Sequence, residues 1–131
     1  IENLEEIQEK RLGIWREYER LLRPLADDGR IRLPFLPDYA SNNGHMFYVV
    51  CRSADERDEL ISYLKERNIH AVFHYLSLHR SPYFSDKYEG KGLQWSDTYS
   101  DRLLRLPLYY ELAKEDIGII CERIIEFFDG R

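Results

Sequence analysis

The sequence predicts an α/β domain, more fully α+β, and three observations carry the prediction. A long opening stretch keeps its apolar residues three and four positions apart, two short runs rich in β-branched and aromatic residues flank a capped helical segment, and a second amphipathic stretch closes the chain. With 131 residues and 44% hydrophobic content the chain has enough material for one core, and one domain is all its length accommodates.

The opening stretch carries Leu4, Ile7, Leu12, Ile14, Trp15, Tyr18, Leu21, Leu22 and Leu25 with charged residues between them. That spacing predicts an amphipathic helix over residues 3–22, with Pro24 just beyond its end. Asp27, Asp28 and Gly29 signal a turn, residues 30–33 alternate as a short strand, and Pro34 with Pro37 opens a loop reaching Gly44. Residues 45–52 are almost continuously apolar and aromatic, as expected of a central strand covered on both faces. Ser53 and Glu56 form a capping-box pattern, in which each side chain serves the other's free amide, and open a helix over residues 54–67. Residues 71–76 have the content of a buried strand, so strand, helix and strand make a βαβ-like unit. Residues 83–95 lack a period and read as a long loop of the kind that is functional or mobile. Ser96 and Asp97 would cap a short helix through Tyr99, Leu103 and Leu104, ended near residues 105–106 by Pro107. Glu115 and Asp116 begin a last helix whose buried face is Ile117, Ile120, Cys121, Ile124 and Phe128; Ala113 supplies no capping hydroxyl, so its first turn should fray.

The charge pattern excludes whole classes of partner. A net charge of −5 with no basic stripe argues against nucleic acid and against a membrane surface, and no apolar run approaches a membrane-spanning length. Cys51 and Cys121 fall on apolar positions and read as reduced core residues, which suits a cytoplasmic setting. The chain starts without Met and inside a helical pattern, so it reads as a piece of something larger.

Candidate chemistry concentrates in residues 70–81, which hold His70, His74 and His79. Spacings of four and five do not align three imidazoles on one strand face, and no cysteine or carboxylate joins them, so a metal site is not expected. In a regular strand His74 and Tyr75 point to opposite faces, one into the core and one toward a ligand. His79 lies past the strand end, open to a structural hydrogen bond or a ligand contact. Arg105 is either a solvated helix end or a guanidinium fork for a carboxylate or phosphate. No Gly-rich phosphate loop, nucleophile elbow or paired acids of known spacing appears, so no catalytic residue is assigned.

Taken together, Gly44-His-Met-Phe-Tyr48, Ala71-Val-Phe-His-Tyr75 with Leu78-His79 and Ser81-Pro82, and residues 100–109 (Ser-Asp-Arg-Leu-Leu-Arg-Leu-Pro-Leu-Tyr) resemble the C-terminal part of a nucleotide-sugar aminotransferase. The family is the pyridoxal-phosphate-dependent DegT/DnrJ/EryC1/StrS group. Lys10, Arg11 and Tyr18 resemble its long spine helix, so the likeness covers nearly the whole chain. It implies the small C-terminal domain of the aspartate-aminotransferase (fold type I) architecture: a short, mostly antiparallel sheet covered by helices, with residues 1–25 as connecting helix and 26–131 as the small domain.

The resemblance further implies a full-length enzyme that holds pyridoxal phosphate in a missing N-terminal large domain. Such an enzyme aminates the C4 keto group of a nucleotide-linked, dTDP-type 4-keto-6-deoxy sugar from glutamate, and works as a cytoplasmic homodimer. His74, Tyr75 and His79 would border the sugar cleft and Arg105 would meet an anionic group, although Ser77 stands where the family's block has proline. None of Lys10, Lys65, Lys87, Lys91 and Lys114 stands in the context of the family's cofactor lysine, so this chain alone is expected neither to bind the cofactor nor to transaminate. Two other classes compete with this reading. One is a stand-alone small-molecule-binding module; the other is an interaction module using the broad apolar face of the first helix.

Overall fold

The computed structural model describes residues 3–130. Helix α1 spans Leu4–Asp27, strand β1 Phe47–Val50, helix α2 Ala54–Lys65, strand β2 Val72–Phe73, helix α3 Gln94–Arg102, strand β3 Leu103–Leu106 and helix α4 Lys114–Asp129, with one 3₁₀ turn at Leu78–Arg80. The three strands run in the order β1, β3, β2, and both outer strands are antiparallel to β3. The βαβ expectation is therefore corrected: β3, from far along the chain, separates β1 from β2.

The largest correction is β3 itself. Leu103 and Leu104 do not extend the preceding helix; α3 ends at Arg102 and the chain straightens at once. Period two wins over the helical period because the segment has strand partners on both sides. Phe47 pairs with Leu106 and Val49 with Leu104, all four buried in one core. Tyr48, Arg105 and Val72 share a register row on the other face.

On the core face lie α1, α2 and α4. Trp15 meets the Phe47 ring edge-on at 5.3 Å and Tyr18 stacks on it at 5.1 Å. Ile117, Ile120, Cys121, Ile124 and Phe128 are buried as the periodicity predicts. Both cysteines are free and buried, and burial pushes the Cys121 thiol up to about 12.

Helix α1 runs further than expected, with Pro24 inside it. Leu22 and Leu25 continue the buried stripe while Pro24 stays on the exposed side of the helix. Its end is a Schellman motif: Gly29 (φ 71°) takes the left-handed position, its amide donates to Ala26 O, and the Arg30 amide donates to Leu25 O. The strand expected at residues 30–33 is reduced to a single antiparallel bridge from Arg32 to Val50. At the start of α2, Ser53 Oγ accepts from the Glu56 amide, while the Glu56 carboxylate reaches one residue further back than the capping box predicts, to the Arg52 amide.

The spine is bolted to the domain by polar contacts. Tyr18 Oη donates to Pro107 O at 2.8 Å, and Arg11 donates to Gly44 O at 3.1 Å and His45 O at 2.6 Å. Gly44 (φ 58°) passes so close to α1 that a Cβ there would meet the Arg11 and Leu12 backbone at 3.1 Å. Gly44→Ala should therefore destabilise the chain by about 1–3 kcal/mol in urea unfolding. Gly13→Ala, in open space on the same helix, should stabilise it by about 0.5–1 kcal/mol.

Candidate functional site

Strand β2 is neither long nor buried, as the sequence suggests it should be. Val72 and Phe73 are its only residues and both are exposed, because β2 is an edge strand paired on one side only. It ends where Tyr75 takes a left-handed conformation, φ 53°. A non-glycine residue there is uncommon and breaks the pleat. The alternation that would send His74 and Tyr75 to opposite faces is lost: their rings lie 4.7 Å apart, and both line one cavity of about 370 Å³ bordered also by Trp95, Tyr99 and Ser100.

Helix α3 holds this turn in place. Ser100 Oγ donates to Tyr75 O and accepts from the Ser77 amide, each at 3.1 Å. Ser96 donates to the buried Ser77 hydroxyl at 3.2 Å. One turn on, Arg80 pairs with Asp101 at 2.9 Å, and His79 Nε2 lies 3.1 Å from Asp97. Burial opposes the charge on Asp97, but the His79 ring, the Ser77 hydroxyl and the Arg80 guanidinium outweigh it and hold its carboxyl below the usual range. The His79 side chain is 8% exposed and packs on Tyr88 at 5.2 Å, outside the cavity lining. Ser96, Asp97, Ser100 and Asp101 repeat at helical spacing, a signal the sequence displays but which has meaning only once the turn is seen opposite it.

Arg105 is not a helix end. In the middle of the sheet it sits half-buried on the face away from the core, between Tyr48 and Val72, with its guanidinium carbon 5.8 Å from the Tyr75 ring centre. Burial first, then the charges of Arg105 and His45, depress the His74 pKa, so its imidazole is neutral at neutral pH. Arg105 Nε and His74 Nδ1 are buried without a hydrogen-bond partner among the described residues. The structure thus brings His74, Tyr75 and Arg105 together and sets His79 behind them as a strut. Tyr48, His45 and Tyr99 border the same face and were not singled out from the sequence; only the register row and the α3 crossing reveal them.

Such a face can bind an anion or a hydroxyl-rich ligand through one cation, a neutral imidazole and phenol groups. It does not fit covalent attachment of a cofactor. Lys10 and Lys87 lie over the Tyr110 and Tyr83 rings, Lys114 is 3.9 Å from Glu17, Lys65 and Lys91 are exposed, and none lines this cavity. Among the described residues no group of three or more His, Cys, Asp or Glu is placed to hold a metal ion, and no helix is long and apolar enough to cross a membrane.

Residues 1–125 match the model of the DegT/DnrJ/EryC1/StrS aminotransferase family. The chain belongs to that family. A pleiotropic regulatory protein of Geobacillus stearothermophilus is 32% identical over 113 residues, 85% of this chain and 29% of that protein. A GDP-perosamine synthase of Escherichia coli O157:H7 is 30% identical over 90 residues, 66% of this chain and 23% of that one. DesV of S. venezuelae, solved in complex with a ketimine intermediate, superposes with TM-score 0.85 at 25% identity over 95% of this chain and 33% of its own. The chain therefore spans about a third or less of each of these relatives. Its fold is a small α+β domain of the kind found in fold type I aminotransferases of the DegT/DnrJ/EryC1/StrS family.

Ser100→Ala removes the hydroxyl that joins Tyr75 O to the Ser77 amide, and should cost about 1–3 kcal/mol of stability and speed hydrogen exchange at Ser77. A second test concerns pH. Because the folded pKa of His74 lies below its ordinary 6.5, the unfolded chain takes up this proton first, and stability falls as pH drops through that value. Arg105→Gln should raise the His74 pKa part-way back, read by imidazole NMR titration; no movement would remove Arg105 from the causes and leave burial and His45.

Proposed function

We propose that this chain is the substrate-covering C-terminal part of a pyridoxal-phosphate-dependent sugar aminotransferase, and that His74, Tyr75 and Arg105 form its wall of the substrate cleft. The observation that carries the reading is the convergence of these three residues on the uncovered sheet face of a chain that belongs to an aminotransferase family. When bound in the longer protein, the cofactor supplies the amino-transfer chemistry. This chain's residues would orient the substrate and exclude water from it. Arg105 would meet an anionic group, the neutral His74 would exchange a hydrogen bond with a sugar hydroxyl, and Tyr75 would offer an apolar ring edge. His79 would act through the turn, by holding it on Asp97. The exposure of Val72 (45%), Phe73 (51%) and Tyr75 (70%) beside this face supports a larger N-terminal domain covering it.

In its finer form the reading follows the likeness to dTDP-4-amino-4,6-dideoxygalactose transaminase: glutamate as amino donor, the C4 keto group of a dTDP-linked 4-keto-6-deoxy sugar as acceptor, and a role in lipopolysaccharide or polysaccharide biosynthesis. A cytoplasmic homodimer completes it, and two buried free thiols suit that compartment. The chain alone, without a lysine on the cleft, would be inactive.

The test is a transaminase assay of the longer protein with glutamate, comparing dTDP-linked and GDP-linked 4-keto-6-deoxy sugars. Turnover is expected with the dTDP sugar, and Arg105→Gln should raise its KM about tenfold or more, the worth of a charge-assisted hydrogen bond, with a smaller change in kcat. His79→Ala should lower thermal stability more than it alters KM. Preference for the GDP sugar would overturn the nucleotide assignment, and no turnover with either sugar would overturn the reading. A visible absorbance band from a lysine-bound cofactor on the 131-residue chain would overturn its proposed inactivity.

A further inference from the structure

The cavity lined by His74 is a seam between two parts of the chain. Leu76, Ser77 and Leu78 border it on one side, and Trp95, Ser96 and Tyr99 of α3 on the other. Between those two sets the chain makes an excursion, residues 76–93, that adds almost nothing to the core. Ser77 is its only buried residue, while Leu76, Leu78, Tyr83 and Leu93 are exposed.

The excursion is organised locally. The Arg80, Ser81 and Phe84 amides donate to Ser77 O, Leu78 O and Ser81 O, and the Tyr88 amide donates to Phe84 O. The Tyr88 ring ties its two ends together, packing on His79 at 5.2 Å while its hydroxyl donates to Lys91 O at 2.8 Å. The chain turns so tightly there that a Cβ at Gly90 would meet the Tyr88 ring at 2.5 Å. What fastens this body to the domain is the polar stripe on α3. Ser96 and Ser100 hold Ser77, Asp101 holds Arg80, and Asp97 meets both His79 Nε2 and Arg80, at 3.1 and 3.4 Å. The clasp is incomplete: His79 Nδ1 and Ser81 Oγ are buried without a hydrogen-bond partner among the described residues. Each such atom carries a cost that opening to water removes. A segment with few buried apolar contacts opens at a lower free energy than the core does.

We propose that residues 76–93 form a strap that swings away from α3 as one unit, hinged at the left-handed Tyr75, and so gates entry to the His74 cavity. Closed, the strap supplies one wall of the cavity; open, it frees the His74 and Ser100 side chains. The inference rests on where the cavity lies and not on which substrate enters it, so a failed sugar assay would leave it standing.

The experiment is native-state amide hydrogen exchange of the 131-residue chain, paired with modification of His74 by diethyl pyrocarbonate, which attacks neutral imidazole, mapped by mass spectrometry. The Ser77, Arg80 and Ser81 amides should exchange together, about a hundredfold or more faster than Leu104 in β3 and Ile124 in α4. Asp97→Ala should speed the strap amides about tenfold and Arg80→Gln about two- to fivefold, with Leu104 and Ile124 unmoved. The Ser77 and Ser96 hydroxyl oxygens lie 3.2 Å apart, within reach of a disulfide once both are replaced, and Cys51 and Cys121 are buried away from competition. Ser77→Cys with Ser96→Cys, oxidised, should slow the Arg80 and Ser81 amides about tenfold or more, and reduction should reverse this. Modification of His74 should rise in Asp97→Ala and fall in the oxidised pair, while that of the exposed His70 stays constant. Strap amides that exchange only together with β3 and α4 would overturn the strap as a separate unit. A His74 rate indifferent to both Asp97→Ala and the disulfide would overturn the gate.

Discussion

Everything in this domain depends on the pairing of β3 with strands on both sides. Four residues, Leu103–Leu106, close the hydrogen-bond ladder to β1 and to β2. In doing so they sort side chains between two unlike environments. Leu104 and Leu106 join the helical core, whereas Arg105 is delivered to the opposite face beside His74. A slip of one residue would exchange the two sets, burying a guanidinium among leucines and isoleucines. The energetic preference for the observed register is therefore large. The apolar core and the polar face are two consequences of one constraint.

The core side was legible in the sequence and the site side only in part. Helical spacing located α1, α2 and α4, and the terminal helix buries the residues its period indicates. The apolar run at residues 45–52 does contain a strand, though only Phe47–Val50 forms the ladder. β3 is hidden in the sequence because Tyr99, Leu103 and Leu104 have a helical spacing and the segment lacks β-branched residues. Its strand character comes from two partners distant in the chain, which no local window contains. β2 differs for the converse reason: its apolar content suggests burial, while its place at the sheet edge leaves it exposed.

The blocks that carry the family likeness divide between scaffold and site. Arg11, Gly44, Tyr18 and the Pro107 carbonyl act on one another, fixing the spine helix against the sheet. Within the block around residues 74–79 the division is finer. Tyr75 accepts an unfavourable backbone conformation, and Ser77, Ser96 and Ser100 hold it there. Ser77 stands where the resemblance implies proline. The turn here is fixed by hydrogen bonds from a neighbouring helix, and the Ser77 amide that takes part is one a proline would lack.

The two faces of the sheet differ in how completely this chain satisfies them. On the helical side the apolar side chains are buried and the Tyr18 hydroxyl has a partner. On the other side Arg105 Nε and His74 Nδ1 are removed from solvent without a partner among the described residues. Such atoms cost free energy in a folded chain unless something else meets them. Their chemistry limits what that can be. Burial, and after it the Arg105 charge, keep His74 neutral; an uncharged imidazole keeps one nitrogen able to accept a hydrogen bond, and an imidazolium would not. A wall that sets one permanent cation beside one neutral acceptor suits a ligand with an anionic group next to hydroxyls. Under the proposed function, those are the two halves of a nucleotide-linked sugar.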